Sequence, residues 1–167
     1  MISTMIKMLR IDDRLIHGQV AVVWSKNLNV SRIIVISDSI SKNEIQKSAL
    51  KMAAPENIKT FIQPVDEALK LLNDPRAAKL SILVVMNDPK EVRRVLEGLK
   101  PDAKPETLDL ANYGRIVGDL EGKHKITDTV YLTDDEIRIF KDLSSENFKF
   151  IYQPLPSDTA KALDDLI

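Results

Sequence analysis

The sequence predicts an α/β protein with three layers, a mostly parallel central sheet of about seven strands carrying helices on both faces. Three observations carry that prediction. Short apolar, β-branched runs recur along all 167 residues. Between them lie stretches with helical spacing, several opened by capping residues or proline and stopped before proline. The connections are short and polar, so strands and helices alternate in the order that builds parallel strands with crossover helices. A length of 167 residues suits one domain, residues 1–167.

Taken in order, residues 5–11 read as a first strand, followed by a polar loop and a helix over residues 18–28. Ile33, Ile34, Val35 and Ile36 make residues 31–37 a strand buried on both faces. Ser41 with Glu44 three residues on reads as a capping box, opening a helix to about residue 52 before Pro55. Residues 58–63 form a third strand, and Pro64 opens a helix over 65–72 with Asp66 and Glu67 in its first turn. Residues 80–86 are the most strand-like of all; Asn87, Asp88 and Pro89 then cap a helix to about residue 99.

Residues 107–111 read as a fifth strand, leading into Asn112, Tyr113, Gly114 and Arg115 and a polar turn as far as Lys123. Residues 126–132 read as another strand, and Thr133 with Glu136 gives a second capping box for a helix to about residue 143. A last strand at 148–152 and a C-terminal helix at 157–167, with Asp158 in its first turn, complete the reading. In such a sheet the loops at the carboxyl ends of the strands meet at one edge. Asp38, Ser39, Asn87, Asp88 and residues 112–115 are therefore expected beside the loop that follows the first strand.

That loop holds the densest chemistry in the chain: Arg10-Ile11-Asp12-Asp13-Arg14-Leu15-Ile16-His17-Gly18-Gln19-Val20. A neutral imidazole is a nucleophile, carboxylates beside it fix its tautomer and orientation, and arginines neutralise an anion it receives. A helix beginning just after His17 would present unpartnered N–H groups to a phosphate, with Gly18 allowing close approach. These are the parts of a phosphoryl carrier. A plainer reading makes Asp12 and Asp13 turn or cap residues and His17 incidental.

Composition removes several other classes. Twenty-four basic and 25 acidic side chains give no field that would recommend nucleic acid. The absence of cysteine rules out disulfides, thiolate metal sites and cysteine nucleophiles, and fits a reducing cytoplasm. The first residues lack a signal-peptide core, and no apolar run approaches the roughly 20 residues of a spanning helix. Gly114, Gly118 and Gly122 match neither a dinucleotide fingerprint nor a P-loop, so no nucleotide cofactor is expected. His124 reads as a solvated surface residue; with His17 so distant, no metal site is expected. Trp24 reads as core. Ser37 and Ser39 could bond a phosphate, but strand-end turn chemistry explains them equally well. Lys26, Lys42, Lys47 and Lys51 solvate helix faces, and form a basic surface for an acidic partner if the first two helices lie side by side.

The eleven residues Arg10 to Val20 resemble the signature of the IIB components of the mannose/fructose/sorbose family of the bacterial phosphoenolpyruvate-dependent sugar phosphotransferase system. The resemblance extends over essentially the full length and implies the same three-layer fold, with an antiparallel strand often added at one edge. It implies that His17 is the phosphorylated nucleophile. Asp13 and Arg14 would act with it, and Arg10, Asp12, Gly18 and Gln19 would orient the ring or hold the phosphate. His17 would take its phosphoryl group from a phosphohistidine on a IIA domain and pass it to a sugar carried by membrane IIC and IID subunits. That is the activity of a protein-N(π)-phosphohistidine–sugar phosphotransferase in the cytoplasm at the membrane. No metal or cofactor is implied, and a homodimer is compatible with the resemblance. Arg115 stands where relatives tend to carry a second glycine. Two other readings remain: a regulatory module that responds to phosphorylation without serving sugar, and a hydrolase using Asp12, Asp13 and His17.

Overall fold

The computed structural model describes residues 5–115 and 120–167. Gly118, and the first four residues of the signal-peptide reading, lie outside them. The elements in order are β1 (Ile6–Asp12), α1 (Gly18–Leu28), β2 (Arg32–Ile36), α2 (Glu44–Ala53), β3 (Lys59–Gln63), α3 (Val65–Leu72), β4 (Ile82–Met86), α4 (Pro89–Gly98) and β5 (Leu108–Asn112). A hairpin of β6 (His124–Thr127) and β7 (Val130–Leu132), then α5 (Asp134–Ser145), β8 (Phe150–Tyr152) and β9 (Lys161–Ala162), complete the chain.

Seven strands form the main sheet in the order β3-β2-β4-β1-β5-β8-β9, parallel except for the antiparallel β8–β9 pair at one edge. Residues 82–86 of β4 are all buried, as a strand covered on both faces requires. One core layer packs Ala21 and Trp24 of α1 and Leu50 of α2 against Met8, Val35 and Val85. The other packs Val65 and Leu72 of α3, Val92 and Leu96 of α4, and Phe140 and Leu143 of α5 against Leu9, Ile11 and Ile34. Helices α1 and α2 therefore share one face and α3, α4 and α5 the other. β1 lies between β4 and β5, with α1 leaving it for one face of the sheet while α4, which joins β4 to β5, packs on the other, and the site is built at its carboxyl end.

Three elements differ from the sequence reading. Ser41 does not open α2: its hydroxyl donates to the Asp38 carbonyl at 2.7 Å within a 3-10 turn at Ile40–Lys42. Asn43 caps the helix instead, accepting from the Gln46 N–H at 3.0 Å. Residues 126–132 are not one strand. Asp128 and Thr129 turn the chain into the β6–β7 hairpin, which forms its own small sheet while the Thr129 hydroxyl donates to the Ala111 carbonyl at 2.8 Å.

The C-terminal segment is not a helix. From residue 157 to 162 every side chain is exposed, so no apolar stripe exists to hold a helix down. β9 pairs with β8 instead, a 3-10 turn follows at Leu163–Asp165, and buried Leu163 anchors the end. Asp158 accepts from the Leu155 N–H at 2.9 Å, capping a turn. The antiparallel edge strand implied by the resemblance is thus β9, and it replaces residues 126–132 as the seventh strand.

Candidate phosphoryl-transfer site

Pleating sends alternate side chains of β1 to the same side, so Arg10 and Asp12 both face α1. Both are buried, at 4% and 1% exposure. The Asp12 carboxylate organises the loop beyond it. Its Oδ1 accepts from the Arg14 N–H at 3.0 Å, and its Oδ2 lies 3.2 Å from His17 Nε2. Leu15 takes a left-handed conformation (φ 60°) to complete this tight turn, while it and Ile16 insert into the core beneath α1.

His17 is the N-cap of α1, with extended backbone and a side chain that makes no capping bond. That side chain is 26% exposed. Nε2 faces Asp12, and Nδ1 has no partner among the described residues. Gly18 opens the helix with φ +46°, a region costly for other residues; a Cβ there would meet nothing within 4 Å, so conformation rather than space calls for glycine. The N–H groups of Gly18 and Gln19 belong to the first helical turn, lack intrahelical acceptors and carry the positive end of the helix dipole.

The two arginines take different places. Arg14 is exposed, and its guanidinium makes no ion pair among the described residues. Arg10 is enclosed: Nη2 donates to Asp12 Oδ2 at 3.3 Å, while Nη1 donates to Asp109 Oδ2 at 2.9 Å and to the Gln153 carbonyl at 3.3 Å. Its guanidinium carbon lies 5.4 Å from the centroid of the Trp24 ring. Trp24 is buried as expected, and its indole N–H donates to the Pro154 carbonyl at 2.9 Å.

Asp13 turns the other way. Its Oδ2 accepts from the Gly114 N–H at 2.8 Å, and it lines an open cleft of about 420 Å³ with Asn87, Asp88, Tyr113, Gly114 and Lys123. Gly114 takes φ +82°, and a Cβ there would lie 2.0 Å from the Tyr131 carbonyl oxygen. Within the same cleft Tyr113 donates to Glu136; burial, then that bond, push its phenol well above the usual range.

The structure therefore brings Arg10, Asp12, Arg14, His17, Gly18 and Gln19 together and sets Asp13 at the rim, bridging to the loop after β5. The other expected neighbours divide. Asn87 and Asp88 border Asp13, whereas Asp38 is committed to α3 and α4, accepting from the Val65 N–H at 2.8 Å and from Arg94 Nη1 at 2.9 Å. That N–H, with Arg94 beside it, holds its carboxyl below the usual range against the opposing effect of burial. Ser37 is buried and accepts from the Ile40 N–H at 3.2 Å, which is turn chemistry. Arg115 donates to the Asp128 carbonyl at 3.2 Å on the surface, and His124 pairs with Asp134 at 2.7 Å. Asp109 was not singled out from the sequence, although a lone acid between Leu108 and Leu110 in a buried strand is a signal. Among the described residues no cluster of three or more histidines and carboxylates is arranged to hold a metal ion.

The model of the sorbose subfamily IIB component of the phosphotransferase system matches residues 6–167. The chain belongs to that family. A probable phosphotransferase enzyme IIB component of Streptococcus pyogenes is 40% identical over 165 residues, covering 98% of this chain and 99% of that protein. The mannose-specific EIIAB component of Escherichia coli is 31% identical over 162 residues; the match covers 97% of this chain but 48% of that longer protein. Among solved structures, the IIBSor domain of the sorbose permease from Klebsiella pneumoniae superposes with a TM-score of 0.86 at 28% identity, covering 96% of this chain and 94% of that one. Membership makes the chain a phosphotransferase-system component. Among the described residues no helix is long and apolar enough to cross a membrane.

Proposed function

We propose that the chain is a single-domain phosphohistidine carrier in which His17 takes a phosphoryl group from a IIA phosphohistidine and delivers it to a sugar held by membrane IIC and IID subunits. The observation that carries this reading is the pose of His17: Nε2 faces the buried Asp12 carboxylate at 3.2 Å while Nδ1 is left open at the N-terminus of α1. An imidazole whose one nitrogen is bonded to a carboxylate is fixed in tautomer and orientation, with its lone pair on the other. Nδ1 is accordingly the attacking nitrogen.

In the first transfer the Nδ1 lone pair forms the new N–P bond in line with the breaking P–N bond of the donor. That bond's electron pair returns to the donor's ring. The proton on Nε2 stays between His17 and Asp12, whose negative charge balances the positive ring. Exposed Arg14 and the N–H groups of Gly18 and Gln19 supply the positive potential for the equatorial oxygens. In the second transfer a sugar hydroxyl oxygen forms the O–P bond as its proton passes to solvent, and the electron pair of the breaking N–P bond returns to Nδ1.

The relative that joins IIA and IIB in one protein supports IIA as the donor. Lys26 and Lys51 are exposed on α1 and α2, which pack on the same face of the sheet. A cytoplasmic chain of this kind meets the membrane only through subunits that hold the sugar. The test is intact mass after incubation with phosphoenolpyruvate, enzyme I, the histidine carrier protein, a cognate IIA and the membrane subunits. Wild type and His124→Ala gain about one acid-labile phosphate and lose it on adding sugar, whereas His17→Ala gains none. Wild type that stays unmodified beside phosphorylated IIA contradicts the proposal, and phosphate that never turns over with sugar points to the regulatory module.

A further inference from the structure

Asp109 is an ionisable side chain in the interior that the transfer described above does not touch. It stands on β5 at the register position facing Arg10 of β1 and is fully buried. Its Oδ2 accepts from Arg10 Nη1 at 2.9 Å and its Oδ1 from the Gln153 N–H at 3.0 Å. Burying an ion pair commonly costs about as much as its attraction returns, and an apolar pair of similar volume is often at least as stable. Stability alone therefore does not explain an acid here.

The geometry at Asp12 supplies a reason. One oxygen, Asp12 Oδ2, is approached both by Arg10 Nη2 at 3.3 Å and by His17 Nε2 at 3.2 Å. A guanidinium prefers to meet a carboxylate with two parallel N–H bonds, and Arg10 turned wholly onto Asp12 would take that oxygen from the imidazole. Asp109 and the Gln153 carbonyl hold Nη1 on the opposite side, with Trp24 against the guanidinium. On the reading of His17 as the carrier residue, we infer that Asp109 is a positioning residue for phosphoryl transfer: it restrains Arg10 so that Asp12 Oδ2 remains available to orient the His17 ring.

The test is a double-mutant cycle on single-turnover phosphorylation by phosphorylated IIA at pH 8. Burial pushes the Asp109 carboxyl up to about 7, so at pH 8 it is charged. Asp109→Asn keeps the volume and removes the charge. It is expected to slow transfer at saturating donor by about 10–100-fold, the scale of a lost outer partner. The donor concentration for half-saturation stays within about twofold, and in an Asp12→Asn background the further loss is under about threefold, since Asp109 acts through Asp12. Equal fold-losses in both backgrounds, a change in half-saturation alone, or an unchanged rate overturns the inference.

If Asp109→Asn does not fold, the apolar pair Arg10→Met with Asp109→Leu decides, because it removes restraint and restrained together. A transfer rate at least about tenfold above that of Asp12→Asn is expected, and a fall as deep as that of Asp12→Asn overturns the inference. Wild type that takes no phosphate defeats the carrier reading itself. A phosphorylated wild type with an indifferent Asp109 variant defeats only this inference.

Discussion

At the scale of single residues, the site depends on one carboxylate doing two things. Asp12 holds the loop through the Arg14 N–H and the ring through His17 Nε2, at 3.0 and 3.2 Å. Asp12→Asn presents an amide of the same size without the charge that balances the ring. Phosphoryl transfer to His17 is expected to slow on the order of 10²–10⁴-fold, with folding retained, as read by quench-flow mass spectrometry and circular dichroism. A rate within threefold of wild type would remove Asp12 from the mechanism. Gly114 makes a different demand, since its left-handed φ coincides with a Tyr131 carbonyl 2.0 Å from where a Cβ would stand. Gly114→Ala must displace the β6–β7 hairpin and the Asp13 bond together. A loss of about 2–4 kcal/mol in urea unfolding is expected. Gly18→Ala, with the same sign of φ but open space, costs about 1 kcal/mol.

At the scale of elements, local chemistry explains which boundaries were readable. Thr133 and Glu136 form the reciprocal capping box that the sequence announces, Thr133 Oγ1 accepting at 3.2 Å and Glu136 Oε1 at 2.9 Å. Thr133→Ala is expected to lower stability by about 1 kcal/mol, seen as an earlier thermal midpoint. Ser41 and Glu44 carry the same spacing but form no box, because the turn after β2 captures the serine hydroxyl first. A capping motif names a helix start only where no tighter turn competes for the same oxygen. The C-terminal segment failed for a related reason. Leu163 is its one deeply buried side chain, too few to define a period, and only the free edge of β8 decides its state. In the site, the loop from Arg10 to Val20 was legible because its chemistry is contiguous. The split between Asp12 and Asp13 was not, since it depends on a left-handed Leu15 and on Gly114, a hundred residues away in sequence.

At the scale of the whole molecule, the sheet order makes the site. β1 lies between β4 and β5, so Asp12, Asn87 and Gly114 meet at one edge although they lie far apart in the chain. Asp109 in the centre gives this assembly a pH dependence. Burial pushes its carboxyl up to about 7 against the opposing pull of Arg10, whereas an unfolded aspartate titrates near about 3.9. The folded state then keeps a proton that the unfolded chain releases. The contribution of this group to stability therefore falls as pH rises from about 4 to about 7, and levels off above. The difference in urea midpoint between wild type and Asp109→Asn should change steadily across that window; a constant difference contradicts the assignment.

On the proposed mechanism phosphate rides on Nδ1 of His17 while Nε2 stays with Asp12. Long-range ¹H–¹⁵N correlation NMR of the phosphorylated, histidine-labelled protein tests it directly. The prediction is phosphorus coupling at Nδ1 of His17, with Nε2 protonated and His124 unchanged. Phosphorus coupling at Nε2, or at any residue other than His17, contradicts it.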